Sequence, residues 1–351
     1  MRLKYILAGL FSICCMLAQA RDHLLREYNA DNTNLHYTGR IDFSNPKLPR
    51  FWNPGVYIQA RFIGTSVNIK LNDEIEYNKN HNYIEIAVDK RTPYRVQTTG
   101  KSNLFKVDGL GAGVHTITIC KDTESGYLEM VSLQCEKLLP WIKAAKYNIE
   151  YIGDSITCGT GSDLSATPCD KGEWFDQHNA YMSYGPTSAR ALAANWQLTA
   201  ISGVGLVHSC CQMKMVMPEA FDKLDIRALK GQWDFKSYIP DVVTVCLGQN
   251  DGKQDSSIFC LAYIKFILTI KSKYPQTTVV MLTSPMGDEG LTYTLKKYIL
   301  GVEASFPNAA MVHHYFFNKQ YHNGCGGHPD MAEHQLIAAE LSAYIKQLKH
   351  W

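Results

Sequence analysis

The sequence predicts two domains, an all-β sandwich followed by an α/β/α domain on a parallel sheet. Three observations carry that reading. The 351 residues exceed the ~100–200 of one ordinary domain, and 46% hydrophobic with 19% charged residues suits a sizeable core. Between residues 35 and 135 the apolar residues alternate in short runs, the period of half-buried strands. After "LLPWIKAAK" strongly apolar runs alternate with helical stretches, the order that builds a parallel sheet covered by helices.

The elements follow in order. "MRLKYILAGLFSICCMLAQA" carries Arg2 and Lys4, then an apolar stretch, then Ala-Gln-Ala. That is the pattern of a secretory leader, expected at 1–20 with cleavage after Ala20, and it predicts a secreted or periplasmic protein. The stretch is shorter than the ~20 residues of a membrane-spanning helix, and none like it follows, so no membrane span is expected. The sandwich is expected over 21–140, with strands at "GVYIQARF", "TSVNIKL", "NYIEIAVD" and "GVHTITIC" and no helix. The α/β domain is expected over 141–351. Its strands are "YNIEYIG", "WQLTAIS", "DVVTVCLG", "TTVVMLTS" and "AAMVHHYF"; its helices are "AYMSYGPTSARALAAN", "SSIFCLAYIKFILTIKSKYP" and "MAEHQLIAAELSAYIKQL". A net charge of +2 without a long basic or acidic run gives no support to a nucleic-acid partner.

In a parallel α/β sheet, functional residues gather at the carboxyl ends of the strands. Gly153-Asp154-Ser155 follows the first apolar run, where a glycine permits a sharp turn and the serine projects its hydroxyl with its own N–H free. Ser202-Gly203-Val204-Gly205 follows the second; a glycine N–H there serves as a donor, with Gly203 first and Gly205 in reserve. Gly248-Gln249-Asn250-Asp251 follows the third, and the Asn250 amide offers a further donor. His328, in "GGHPD", stands just before the last helix. Each is a weak signal alone; their order is what matters.

In that order the sequence resembles the SGNH, or GDSL-like, hydrolases over roughly residues 147–347. The front half, "YTGRIDFSNPKLPRFWNPGVYIQARFIGTSV", resembles the N-terminal jelly-roll of the acetyl-xylan esterases of carbohydrate esterase family two. The resemblance implies a jelly-roll sandwich joined to an SGNH domain with a flavodoxin-like parallel sheet. It implies a serine esterase that removes acetyl groups from xylan or glucomannan, with a primary hydroxyl as one candidate position, and that needs no cofactor. Ser155 is then the nucleophile and His328 the base. The Ser155 N–H, the Gly203 N–H and the Asn250 side chain form the oxyanion hole, while Asp154 and Asp251 support the motif turns. Rival readings are an SGNH lipase or thioesterase, and a catalytically dead carbohydrate-binding protein.

One piece of the pattern is missing. The wider SGNH pattern places an aspartate three residues before the histidine, where this chain has Cys325. The family-two pattern places it two before, beside an aromatic residue, where this chain has Gly326 and Gly327. Asp330 and Glu333 have the spacing of a capping box for the last helix. The expectation is therefore a Ser155–His328 dyad, with the Gly326 or Cys325 carbonyl accepting from Nδ1–H.

Of eleven cysteines, nine lie beyond the leader, an odd number that leaves at least one unpaired within the chain. Cys246 and Cys260 read as buried thiols, and Cys158 and Cys169, flanking a loop, as a candidate bridge. The adjacent Cys210 and Cys211 have no C-x-x-C spacing, so no metal site is expected. His313, His314 and His334 read as structural. Trp174, Phe175 and Trp233 lie in loops and read either as sugar-stacking rings or as satellite core.

Overall fold

The computed structural model describes residues 25–142, 145–306 and 311–351. The expected leader and its cleavage point lie outside the described residues.

The alternating front half folds into two antiparallel sheets of five and six strands. Alternation decides which side of each strand is dry: Val67–Asp73 alternates buried and half-buried residues along its length. Val67, Ile69 and Leu71 face Ile58, Ala60, Phe62, Ile117 and Ile119 of the opposing sheet in one core. The only helical turn among the described residues of this half is the short 3₁₀ segment Glu76–Asn78.

The second half is an α/β/α layer. Five parallel strands run, across the sheet, Ala194–Ala200, Tyr147–Gly153, Val242–Cys246, Thr278–Leu282 and Val312–Tyr315. In chain order that is 2-1-3-4-5, the expected flavodoxin-like arrangement. Helices Ser256–Lys273 and Glu289–Glu303 cover one face through Phe259, Tyr263, Leu295 and Ile299. Tyr184–Ala191 and Met331–Lys349 cover the other through Tyr184, Ile337 and Leu341. The order reverses between the first and third strands, and such a switch point opens a crevice at the strand ends.

Two helices differ from the sequence reading. The stretch from Ala180 turns helical only at Tyr184, because the Ala180 and Tyr181 N–H groups donate to the carbonyl and carboxylate of Asp122 in the sandwich. Helix Glu289–Glu303 was not expected; its threonines, tyrosines and glycines are indifferent helix formers, and the Asp288 cap with a buried Leu291, Leu295, Ile299, Val302 stripe carries it.

The domains are locked together. Arg40 of the sandwich reaches Glu150 in the central strand at 3.3 Å with both side chains fully buried, and Gln197 and Thr199 also donate to Glu150. Tyr57 stacks on Trp196 at 3.9 Å, and the Trp196 indole donates to the Gly55 carbonyl. Gly55 adopts φ +75, and a Cβ there would sit 2.5 Å from Leu198. Trp233 is buried against Arg40 and Phe175 is buried as well, so both belong to the core; Trp174 alone of the three loop aromatics is exposed, at 50%.

Candidate active site

Ser155 opens a single helical turn, Ser155–Cys158, straight off the end of the first parallel strand. Asp154 caps that turn, accepting from the Ile156 N–H at 3.1 Å. Gly153 is required by space: a Cβ would lie 2.1 Å from the Thr157 hydroxyl and 3.1 Å from the Cys246 carbonyl.

His328 leaves the 3₁₀ turn Cys325–Gly327, in which Gly326 and Gly327 take φ +62 and +73. Its Nε2 lies 2.8 Å from the Ser155 hydroxyl, and its Nδ1 lies 3.1 Å from the Cys325 carbonyl. A carbonyl only accepts, so Nδ1 carries the proton. Nε2 then presents a lone pair to the serine O–H. Burial pushes the His328 pKa below the ordinary value, while the Cys325 carbonyl and the charge of Glu124 push the other way. Among the described residues no carboxylate bonds to this imidazole. Asp330 and Glu333 form the expected capping box, with Asp330 accepting from the Glu333 N–H at 2.8 Å.

The turn that holds the base is itself held. The Cys325 N–H donates to the Gly161 carbonyl at 2.8 Å, and a disulfide joins Cys325 to Cys169. The bridge corrects the expected Cys158–Cys169 pairing: Cys169 is taken by Cys325, and Cys158 is a fully buried free thiol in the turn that Ser155 opens. Cys210 and Cys211 form a vicinal disulfide, Cys246 is a buried thiol, and Cys260 is half-buried.

The groups expected as oxyanion donors have these surroundings. Gly203 adopts φ +88, and a Cβ would meet Met213 and Cys210 sulfurs at 2.9 and 3.0 Å. Neither the Ser155 N–H nor the Gly203 N–H donates to an acceptor among the described residues. The Gly205 N–H, by contrast, is taken by the Ser209 hydroxyl at 3.0 Å. The Asn250 amide donates to the Val204 carbonyl at 2.9 Å and to Asp154 at 3.2 Å. The Asp251 carboxylate accepts from the Leu206, Val207 and His208 N–H groups, pinning the turn that follows Gly203. Burial raises Asp154 to about 7.

One residue at the site comes from the other domain. Glu124, in the sandwich run Lys121–Ser125, is buried and accepts from the Ser202 N–H at 2.8 Å and from Arg227 at 2.7 Å. Burial opposes its charge, but Arg227 and the Ser202 bonds outweigh that and hold its pKa below the ordinary carboxylate range. Nothing in the sequence marked it, since a polar run between two strands reads as an exposed turn. His178 was also missed; it is fully buried, and burial pushes it down to about 3. His334 is buried too and accepts from the Tyr184 N–H, and His314 pairs with Glu303 at 2.7 Å. No helix among the described residues is long and apolar enough to cross a membrane.

Comparison with known proteins matches each domain separately. Residues 37–141 match the Carbohydrate esterase 2 N-terminal family and residues 151–314 the GDSL-like Lipase/Acylhydrolase family. The cellulase/esterase CelE of Acetivibrio thermocellus is 32% identical over 343 residues, covering 92% of this chain; the chain spans about 40% of that protein's length. An acetylxylan esterase / glucomannan deacetylase of Cellvibrio japonicus is 24% identical over 92% of this chain and 91% of its own. Among solved structures, a family two carbohydrate esterase from Clostridium thermocellum in complex with cellohexaose superposes with a TM-score of 0.79 at 28% identity. It covers 90% of this chain and 99% of its own. With both domains matched in this order, the chain belongs to carbohydrate esterase family two, a family of carboxylic ester hydrolases.

Proposed function

We propose that this protein removes acetyl groups from a plant cell-wall polysaccharide, xylan or glucomannan, through a Ser155–His328 dyad. The observation that carries the reading is the 2.8 Å contact between His328 Nε2 and the Ser155 hydroxyl. Nε2 takes the serine proton as Oγ attacks the acetyl carbonyl. The charge on the former carbonyl oxygen falls to the Ser155 and Gly203 N–H groups. The Asn250 amide joins them by giving up its longer bond, the 3.2 Å contact with Asp154. As the bond from the acyl carbon to the sugar oxygen breaks, the imidazolium protonates that oxygen, the sugar leaves with a free hydroxyl, and the acetyl group stays on Ser155. Water enters, His328 takes its proton, acetate leaves and the serine is restored.

The substrate class draws support from the Cellvibrio japonicus relative named acetylxylan esterase / glucomannan deacetylase and from the cellohexaose complex of the Clostridium thermocellum enzyme. Export through the leader at 1–20 is part of the same proposal, and the disulfides suit an oxidising compartment. The test is acetate release from acetylated xylan and acetylated glucomannan, wild type against S155A. Equal rates would sink the proposal.

A further inference from the structure

A cavity of about 570 Å³ opens in the seam between the two domains, and Glu124 is one of its walls. Glu124 is also the residue that grips Ser202, the neighbour of Gly203, so one side chain both lines the cavity and holds the turn that carries a candidate oxyanion donor. The volume falls within the range of small-ligand pockets.

Its lining has a definite chemistry. Trp52 and Tyr127 pack edge to face at 5.8 Å, and the Arg50 guanidinium lies 4.0 Å above Tyr127. Tyr77 stands at the lip with 77% of its surface exposed. It is carried by a loop in which Ile75, Tyr77 and Asn78 take φ values of 51, 57 and 58, a conformation that residues with a Cβ rarely adopt. Holding a bare aromatic ring on strained backbone costs stability, and such strain concentrates at binding sites. The charges nearly balance, with three cations (Arg50, Arg227, Lys230) against four carboxylates (Glu74, Glu76, Glu124, Asp225), and Arg50 and Arg227 are already paired with glutamates. A strongly charged ligand gains little here. A neutral pyranose offers what the lining takes: an apolar C–H face for the rings and a rim of hydroxyls for the side chains.

We propose that this seam cavity binds neutral pyranosyl residues of the acetylated chain flanking the ester, with Tyr77 and Trp52 as stacking rings. The inference rests on the deacetylase reading for its substrate. The measurement is the ratio of kcat/KM on acetylated xylo-oligosaccharide to that on para-nitrophenyl acetate, which has no sugar to seat. In Y77A that ratio should fall about tenfold, through KM, as one aromatic contact is lost. W52A, half-buried and more exposed to folding defects, should move the ratio the same way. A ratio unchanged in both variants overturns the proposal, as does an equal loss on both substrates. If the wild type cleaves only the nitrophenyl ester, the deacetylase reading fails. Calorimetric titration with unacetylated xylohexaose then decides the cavity: binding lost in Y77A supports it, and equal or absent binding in both proteins overturns it.

Discussion

His328 Nδ1 lies 3.1 Å from the main-chain oxygen of Cys325, three residues earlier in the same turn. A carbonyl dipole fixes the tautomer as an aspartate does, but it offers the imidazolium no full charge. An alkoxide leaves more readily than an amine anion, so ester cleavage asks less of the imidazolium than amide cleavage does. H328A should lose about 10⁴-fold or more in kcat, in line with removal of a catalytic base. D330A should cost about 1 kcal/mol of stability as the cap is lost, with turnover largely kept. A kcat collapse in a folded D330A protein would mean that Asp330 is the missing acid after all.

The Cys169–Cys325 bridge spans 156 residues and ends on the residue whose carbonyl holds the base. Two glycines with left-handed φ follow Cys325, so the turn has little stiffness of its own. C169S/C325S should therefore lower kcat by up to about 10²-fold, the cost of small misplacements of a reacting group, with KM less affected. Stability should also fall, by at most about 5 kcal/mol on the loop-entropy account. Steady-state kinetics below the melting temperature, with and without a reductant on the wild type, check this. An unchanged kcat means the Gly161 contact suffices.

Asn250 and Gly203 answer different questions about the oxyanion hole. N250A should lose about 10²–10³-fold in kcat with a small change in KM, since the amide meets the substrate in the charged intermediate; the loss of its bonds to Val204 and Asp154 is read separately as a change in stability. G203A should fail for a steric reason, because its Cβ meets two sulfurs at 2.9 and 3.0 Å and its φ is +88. The reserve glycine behaves differently in kind: its N–H is committed to Ser209, and a Cβ there would lie 1.9 Å from the His208 carbonyl and 2.6 Å from the Asp251 carboxylate, so G205A should unfold the turn before it alters chemistry. Comparing kcat with melting temperature in the three variants separates the cases.

The sheet was legible because apolar runs such as Tyr147–Gly153 and Val242–Cys246 have no other stable use than a strand buried on both faces. The contact between Ser155 and His328 was foreshadowed by the order of their motifs, a glycine-bearing turn at the end of Tyr147–Gly153 and a histidine placed just before the last helix. Helix Glu289–Glu303 was not, since tertiary burial rather than propensity holds it. Glu124 was invisible for a related reason: Lys121, Asp122, Thr123, Glu124 and Ser125 are all buried at the domain seam, and no local pattern announces a polar hairpin closed over by another domain. The Cys169–Cys325 pairing likewise depends on two loops of the α/β domain, 156 residues apart, that meet only once that domain has folded.

Glu124 supplies the pH test. His328 works as a neutral base, so activity rises with pH as the imidazole loses its proton. Burial lowers the His328 pKa, which places this acidic limb below the ordinary histidine value of about 6.5. The Glu124 charge works against that shift, since a nearby anion favours the protonated ring. E124Q keeps the shape and an acceptor oxygen for the Ser202 N–H but removes the charge. The acidic limb of kcat/KM should therefore move to still lower pH in E124Q. Arg227 loses its partner in the same variant, so stability should drop, which a melting curve separates from the pH profile. An acidic limb that stays in place, or that moves upward, would show that the Glu124 charge does not reach the base.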